Sequence, residues 1–246
     1  MIYTKQIYTI NEWFKLKAVI LAGGLGTRLR PLTYLIPKPL LPLGEHSVLE
    51  ISITKLKQHG VNEIFIATNY KSQMFEDYFG DGSKFDVKLN YSREKDPLGT
   101  AGPLKLLMEH LQKPFLVIYG DILTSLDFQK LNEFHIKNKS DFTLVTKEAY
   151  LPVRYGIVES DGNMIKSIEE KPDIKNQINA GIYFLNPDVI SEIPDGFFHM
   201  TDLAKKLIKQ GKRVMKYQLD DYWLDIGQMQ DYEKAKKDIK EGTFDL

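Results

Sequence analysis

Apolar and polar positions along the chain follow two rhythms that change near Asp141. Before it, short apolar runs at 17–22, 62–68, 86–91 and 114–120 alternate with segments of helical period at 47–59, 72–79 and 99–111. Runs this short, bounded by turn residues, predict buried strands. The first two intervening segments end just before Gly60 and Gly80, a common helix stop. Strand–helix alternation with short connections predicts a mainly parallel sheet covered on both faces, joined by right-handed crossovers. In such sheets ligands gather outside the carboxyl ends of the strands, which puts 23–28, 93–100 and 120–122 around one crevice. After Asp141 the pattern turns toward β at 141–147, 155–159, 164–169 and 181–185, with Ser160-Asp161-Gly162-Asn163 as a hairpin turn. A last helix is predicted over 228–240. The expectation is one α/β domain over 17–246, in halves 17–140 and 141–246, with 1–16 an extension or linker remnant before the first strand.

Composition narrows the function without naming it. The chain has 246 residues, with 33 lysines and arginines against 33 aspartates and glutamates, so no global field favours nucleic acid. Cysteine is absent, which removes disulfides and thiolate metal sites. Apolar runs are too short for a membrane span and no signal peptide is visible, so a cytoplasmic protein is expected. The five histidines are scattered, with no metal-ligand spacing, and read mostly as surface or helix-end residues.

The chemistry concentrates where the first strand ends. Its apolar run, Ala18 to Ala22, leads into Gly23, Gly24 and Gly26, followed by Thr27 and Arg28, with Lys38 ten residues further on. Glycines past a buried strand let a ligand approach the backbone, whose N–H groups can converge on an anion beside fixed cations. The dinucleotide fingerprint fails here, since Gly24-Leu25-Gly26 is followed by Thr27, Arg28 and Leu29, and the P-loop pattern is missing too. Asp121 follows the apolar strand 115–119 and Gly120, a position suited to Mg²⁺ or, more simply, to capping a turn. Asp127 fits the capping role better. A second carboxylate, Asp225, lies in Tyr222-Trp223-Leu224-Asp225-Ile226-Gly227. Glu94 stands in a charged run before Leu98-Gly99-Thr100-Ala101-Gly102, a loop that opens a helix. Its carboxylate can accept from both N1–H and the amine of guanine, or it is simply solvated. Glu169-Glu170-Lys171-Pro172 on its own also fits a surface turn.

Taken together these segments resemble the sugar-1-phosphate nucleotidylyltransferases. Every fixed position of their GGxGTRLxPLTxxxPKPLLP signature is present from Gly23 to Pro42. The Gly120-Asp121 strand end, the Leu98–Gly102 loop, Tyr155-Gly156-Ile157-Val158, the Glu-Glu-Lys-Pro turn, Asn179-Ala180-Gly181-Ile182-Tyr183 and the Trp223–Gly227 segment follow in the family's order. Similarity extends over about 17–240 and is nearest to bacterial guanylyltransferases that act on hexose, hexosamine or heptose 1-phosphates for surface glycans. One departure is Tyr119, where relatives often carry asparagine.

The resemblance implies a Rossmann-like three-layer α/β/α nucleotidyltransferase fold, with a mainly parallel central sheet and a smaller β-rich sugar-binding part. It assigns nucleotide contacts to Leu21, Ala22, Gly23, Gly24, Gly26, Thr27, Arg28, Glu94, Gly99, Thr100 and Asp121. Gly156, Glu170, Lys171 and Asn179 fall to the sugar phosphate. Arg28, Lys38, Asp121 and Asp225 are the expected catalytic set, with Mg²⁺ on Asp121 and Asp225. The implied partners are an NTP, GTP preferred, and a sugar 1-phosphate, with no nucleic acid or membrane, and a homodimer is plausible within the family. The alternatives are a uridylyl- or thymidylyltransferase and a non-catalytic protein that binds sugar nucleotides. The lack of hexapeptide repeats argues against a fused acyltransferase domain.

Overall fold

The computed structural model describes residues 16–69 and 71–245. The first half holds strands β1 (Leu16–Leu21), β2 (Pro42–Leu43), β3 (His46–Ser47), β4 (Val61–Thr68), β5 (Lys88–Arg93), β6 (Phe115–Tyr119) and β7 (Ile122–Thr124). The second holds β8 (Phe142–Pro152), β9 (Ile157–Asp161), β10 (Met164–Glu169), β11 (Asp173–Leu185), β12 (Val214–Leu219) and β13 (Trp223–Asp225). Helices are α1 (Leu32–Leu35), α2 (Val48–Gln58), α3 (Ser72–Phe79), α4 (Gly102–Leu106), α5 (Phe128–Lys137), α6 (Met200–Lys209) and α7 (Met229–Lys240). Of the segment expected to precede the first strand, Leu16 opens β1 and the rest lies outside the described residues.

Seven strands form the central sheet in the order β12-β8-β11-β6-β1-β4-β5. β1 runs parallel to both β4 and β6, β5 is parallel to β4, and only β11 is antiparallel to its neighbours. This is the mainly parallel α/β sheet expected. A strand flanked on both sides in a covered sheet has no solvent face, and Ala18, Val19 and Ile20 are accordingly fully buried. Alternate side chains serve opposite layers. Ala18 and Ile20 pack with Leu49 and Ile53 of α2 and Phe75 and Phe79 of α3, while Val19 packs with Leu104 of α4 and Met200, Leu203 and Leu207 of α6. α2 starts on a capping box in which Glu50 N–H donates to Ser47 Oγ at 3.2 Å and Ser47 N–H to Glu50 Oε2 at 3.5 Å.

A third cluster lies at the carboxyl end of the sheet. Leu29, Leu41 and Leu43 join Leu123, Leu224, Ile226 and Tyr232 there, beneath α7. It gathers the turn after the glycine loop, the segment carrying Lys38 and the β7–β13 pair. Because Asp225 pairs with Ile122 across that pair, and Ile226 N–H donates to the Asp121 carbonyl at 3.0 Å, two carboxylates distant in sequence become neighbours.

Several elements differ from the sequence reading. The helix expected over 99–111 is only Gly102–Leu106, and residues 107–110 continue as turns. Gly99 has a left-handed φ of +76°, and the Ala101 and Gly102 N–H groups donate to the Phe198 carbonyl, so residues 99–101 form a loop and the helix starts only at Gly102. β8 and β11 are longer than 141–147 and 181–185 because they leave the core as a two-stranded ribbon, paired from Phe142–Leu185 out to Pro152–Asp173. Their outer residues are exposed on both faces, so no alternation marks them as strand. Helices α5 and α6 and strand β12 were not foreseen. Asp127 caps α5, accepting from the Gln129 and Lys130 N–H groups at 3.0 and 3.1 Å.

His135 lies near the end of a helix, as expected of the histidines, but inside the protein rather than on its surface. It is buried on α5, with Nδ1 2.8 Å from Thr143 Oγ1 and Nε2 3.1 Å from Asn186 Oδ1. Asn186 Nδ2 donates to the Ser140 carbonyl at 2.9 Å, which leaves Oδ1 as the acceptor and puts the imidazole proton on Nε2. Burial depresses the histidine's pKa. A depressed folded-state value means the unfolded chain binds the proton first. This contribution to stability is therefore intact above the unfolded value of about 6.5 and is lost as the pH falls through it. Denaturant unfolding at pH 7.5 and pH 5.5 should show a larger loss for wild type than for His135→Gln. At pH 7.5 the variant should already be destabilised by about 1–3 kcal/mol, because buried partners are left unpaired. An equal loss in both proteins would contradict this account of His135.

Candidate functional site

The end of β1 opens the site. Ala22 N–H still donates to the Ala67 carbonyl at 2.8 Å, and the chain then leaves the sheet through the glycine loop. Leu21, Gly23, Gly24, Glu94, Gly99, Thr100 and Asp121 all line one cavity of about 400 Å³. It lies outside the carboxyl ends of β1 and β6, where the chain order reverses in the sheet, the position that doubly wound sheets use for ligands. Of the expected nucleotide residues, Ala22, Gly26, Thr27 and Arg28 do not line it. Ala22 is buried, and Gly26 is tied through its carbonyl to Thr33 Oγ1 at 2.8 Å.

The far wall depends on a backbone contact. Gly99 has φ +76°, and a Cβ there would lie 2.5 Å from the Phe198 carbonyl oxygen. That same oxygen accepts Ala101 N–H at 2.9 Å, while Phe198 N–H donates to the Leu98 carbonyl at 2.9 Å. Thr100 Oγ1 accepts Met200 N–H at 2.9 Å and so serves the first turn of α6. The segment 197–199 is thereby fixed against the loop, and Phe197 and His199 join the cavity wall.

Glu94 faces this cavity. Its Oε2 accepts Leu98 N–H at 2.9 Å, and a Cβ on Gly23 would sit 3.2 Å from Oε1. Burial pushes its pKa up, against the opposing pull of the Leu98 N–H and of Asn69. The carboxylate both staples the loop and presents acceptor capacity to the cavity.

Next to it stands the charged centre. Lys38, 8% exposed, is ion-paired with Asp121 Oδ2, and its Nζ lies 3.8 Å from Asp225 Oδ1. Burial, and after it the Asp121 charge, raises the Asp225 pKa, opposed by Lys38 and Arg28. Arg28 is exposed at the rim, where a Cβ on Gly227 would lie 3.5 Å from one of its guanidinium nitrogens. Asp121 Oδ1 and Asp225 Oδ1 are buried and accept no hydrogen bond from the described residues. Paired carboxylate oxygens without donors suit a hard divalent cation, and Mg²⁺ commonly takes one or two carboxylates and completes its shell with water and phosphate oxygens. Among the described residues no third His, Cys, Asp or Glu joins them in a cluster.

The expected sugar-phosphate residues divide. Asn179 is drawn in: its Nδ2 donates to the Tyr183 hydroxyl at 2.6 Å, and that hydroxyl lies 3.0 Å from the hydroxyl of Tyr119 on the cavity wall. Gly156, Glu170 and Lys171 are elsewhere, on and beside the exposed β9–β10 hairpin. A Cβ on Gly156 would meet Glu170 Oε2 at 3.0 Å, and Lys171 Nζ is 3.6 Å from Glu170 Oε1. Sequence reasoning missed Asn69, Tyr119, Phe197 and His199. Tyr119 alone carried a signal, as the departure in the strand-end motif.

Comparison with known proteins agrees with the geometry. The Nucleotidyl transferase family model matches residues 17–242. The chain is 38% identical to the mannose-1-phosphate guanyltransferase of Yarrowia lipolytica over 228 residues, covering 88% of this chain and 62% of the relative. It is 36% identical to that of Saccharomyces cerevisiae, covering 88% and 63%. The chain thus spans about three fifths of the length of these curated relatives. The crystal structure of HddC from Yersinia pseudotuberculosis complexed with GMP-PN superposes with a TM-score of 0.73 at 30% identity, covering 90% of this chain and 98% of that one. By the match over nearly its whole length, the chain belongs to the Nucleotidyl transferase family.

Proposed function

We propose that the chain transfers a nucleotidyl group, GMP by preference, from an NTP to a sugar 1-phosphate, releasing pyrophosphate. The observation that carries this reading is the buried Lys38 between two carboxylates with unpartnered oxygens, set at the edge of a glycine-walled cavity. The names of the relatives and the GMP-PN complex of HddC support guanine and make mannose 1-phosphate the first acceptor to try.

In this reading an ionised oxygen of the sugar 1-phosphate attacks the α-phosphorus in line. A P–O bond forms there, and the bond to the oxygen bridging the α- and β-phosphates breaks. The nucleophile is already an anion, so no general base is needed, and the residues act by positioning and by neutralising charge. Lys38 faces the α-phosphoryl group and Arg28 the departing phosphates. Asp121 and Asp225 would hold a Mg²⁺ ion, which when bound screens the phosphate oxygens from one another. Residues 17–140 take the nucleotide, with Glu94 reading guanine, and residues 141–246 take the sugar phosphate. The role of Lys171 at the incoming phosphate rests on the motif it belongs to.

Arg28→Ala and Asp225→Asn should each lower turnover with GTP and mannose 1-phosphate by about 10²–10³-fold, as loss of a charge-stabilising group does. Wild-type turnover in either variant, measured as pyrophosphate release, would remove that residue from the mechanism. Glu94→Gln exchanges one acceptor oxygen for a donor and should lower kcat/KM for GTP by about 10- to 100-fold relative to UTP, the scale of a hydrogen bond to a charged group. An unchanged GTP:UTP ratio would leave Glu94 only its role as the staple of the Leu98 loop.

A further inference from the structure

The hydroxyl chain beneath the cavity has a direction, and it ends at a donor with no acceptor among the described residues. Asn179 Oδ1 accepts Gly181 N–H at 3.0 Å, which fixes the amide so that Nδ2 is the group facing Tyr183. An amide nitrogen only donates, so the Tyr183 oxygen accepts. Tyr183 is fully buried and its own proton needs an acceptor; among the described residues the one within reach is the Tyr119 oxygen, at 3.0 Å. Tyr119 therefore accepts from Tyr183, and its own proton points away from the protein network. Tyr119 lines the cavity, two residues before Asp121 on the same strand end.

The surroundings hold this arrangement in place. β8 and β11 lose register between Asn179 and Tyr183, and Gly181 at that irregularity has φ +71°. A Cβ on Gly181 would come 2.9 Å from the Tyr119 ring, so only glycine lets the ring lie against this backbone. Trp223 Nε1 donates to the Ala180 carbonyl at 2.8 Å, anchoring the irregularity to the strand that carries Asp225. The hydroxyl chain thus links Tyr119 on the cavity wall to Asn179 on β11 in the second half.

We infer that Tyr119 is a sugar-reading residue, donating its phenolic proton to one hydroxyl oxygen of the sugar 1-phosphate, with Tyr183 and Asn179 as positioning residues that set the proton's direction. The inference rests on the proposed reaction. The sugar is chosen over the nucleotide because Tyr119 is hydrogen-bonded to Tyr183, and through it to Asn179, on β11 in the half assigned to the sugar phosphate, whereas the nucleotide residues other than Asp121 reach the cavity from β1, the end of β5 and the 98–102 loop. A phenol donor discriminates between epimers, because inverting one hydroxyl leaves a buried proton without its acceptor.

The test uses GTP and the sugar 1-phosphate that the wild-type chain turns over fastest, together with its 2-, 3-, 4- and 6-deoxy analogues. Tyr119→Phe should raise KM for the parent sugar 1-phosphate by about 3- to 10-fold, the scale of one neutral hydrogen bond, with KM for GTP unchanged, and it should lower the melting temperature because the buried Tyr183 proton loses its acceptor. Wild type should show the same loss with one deoxy analogue, and Tyr119→Phe no further loss with that analogue. A penalty falling on KM for GTP, a penalty equal for every analogue, or no penalty would overturn the assignment. Failure of the reaction reading looks different, because the wild-type chain itself then releases no pyrophosphate with any sugar, and the inference falls with it.

Discussion

The contact on which this structure turns is the Lys38 ammonium between Asp121 and Asp225. Two carboxylates brought together in a partly buried site repel, so a cation between them is what makes their approach affordable. Burial first, and then the Asp121 charge, raise the pKa of Asp225, and two carboxylate oxygens are left without donors among the described residues. The same features make the place receptive to a divalent cation, because an incoming metal meets ligands that have little else to give up. Removing the lysine alone would leave two half-buried charges uncompensated, the situation in which buried ionic groups are most destabilising.

Much of the fold serves to bring those three side chains together. Asp121 follows the central strand β6, Asp225 ends a strand laid antiparallel to β7, and Lys38 lies in a short turn after α1. No local preference joins positions so far apart in sequence. The third apolar cluster does, by holding Leu41, Leu123, Leu224 and Ile226 in one packing unit. The glycine loop, the Leu98 loop and the 197–199 segment then wall the cavity with main chain, through bonds such as Ala101 N–H to the Phe198 carbonyl. Rigid main-chain walls with a few charged groups at one end suit a triphosphate, which needs fixed dipoles and cations more than shape.

What could be read from the chain follows the physics of each signal. The segment from β1 to Arg28 was legible because an apolar run ending in glycines has a local meaning, and so were the capping role of Asp127 and the hairpin turn at 160–163. The approach of Asp225 to Asp121 was legible only through the resemblance, since nothing in the local pattern of Trp223–Gly227 points across the molecule. The outer parts of β8 and β11 were hidden because a ribbon exposed on both faces carries no alternation of apolar and polar positions. Phe197 and His199 were hidden for another reason: their place on the wall comes from backbone bonding of the 98–102 loop, which leaves no mark on composition. The hairpin with Gly156, Glu170 and Lys171 shows the converse, a clear motif whose residues lie away from the cavity wall.

The account stands most directly on the reaction of the wild-type chain itself, measured as pyrophosphate released from GTP in the presence of mannose 1-phosphate, with Mg²⁺ and again in excess EDTA. A charged centre built from Lys38, Asp121 and Asp225 for phosphoryl chemistry predicts steady release with Mg²⁺ that stops in EDTA. Tight GTP binding without release under either condition, and with other sugar 1-phosphates in place of mannose, would contradict it and leave a protein that binds nucleotide without transferring it.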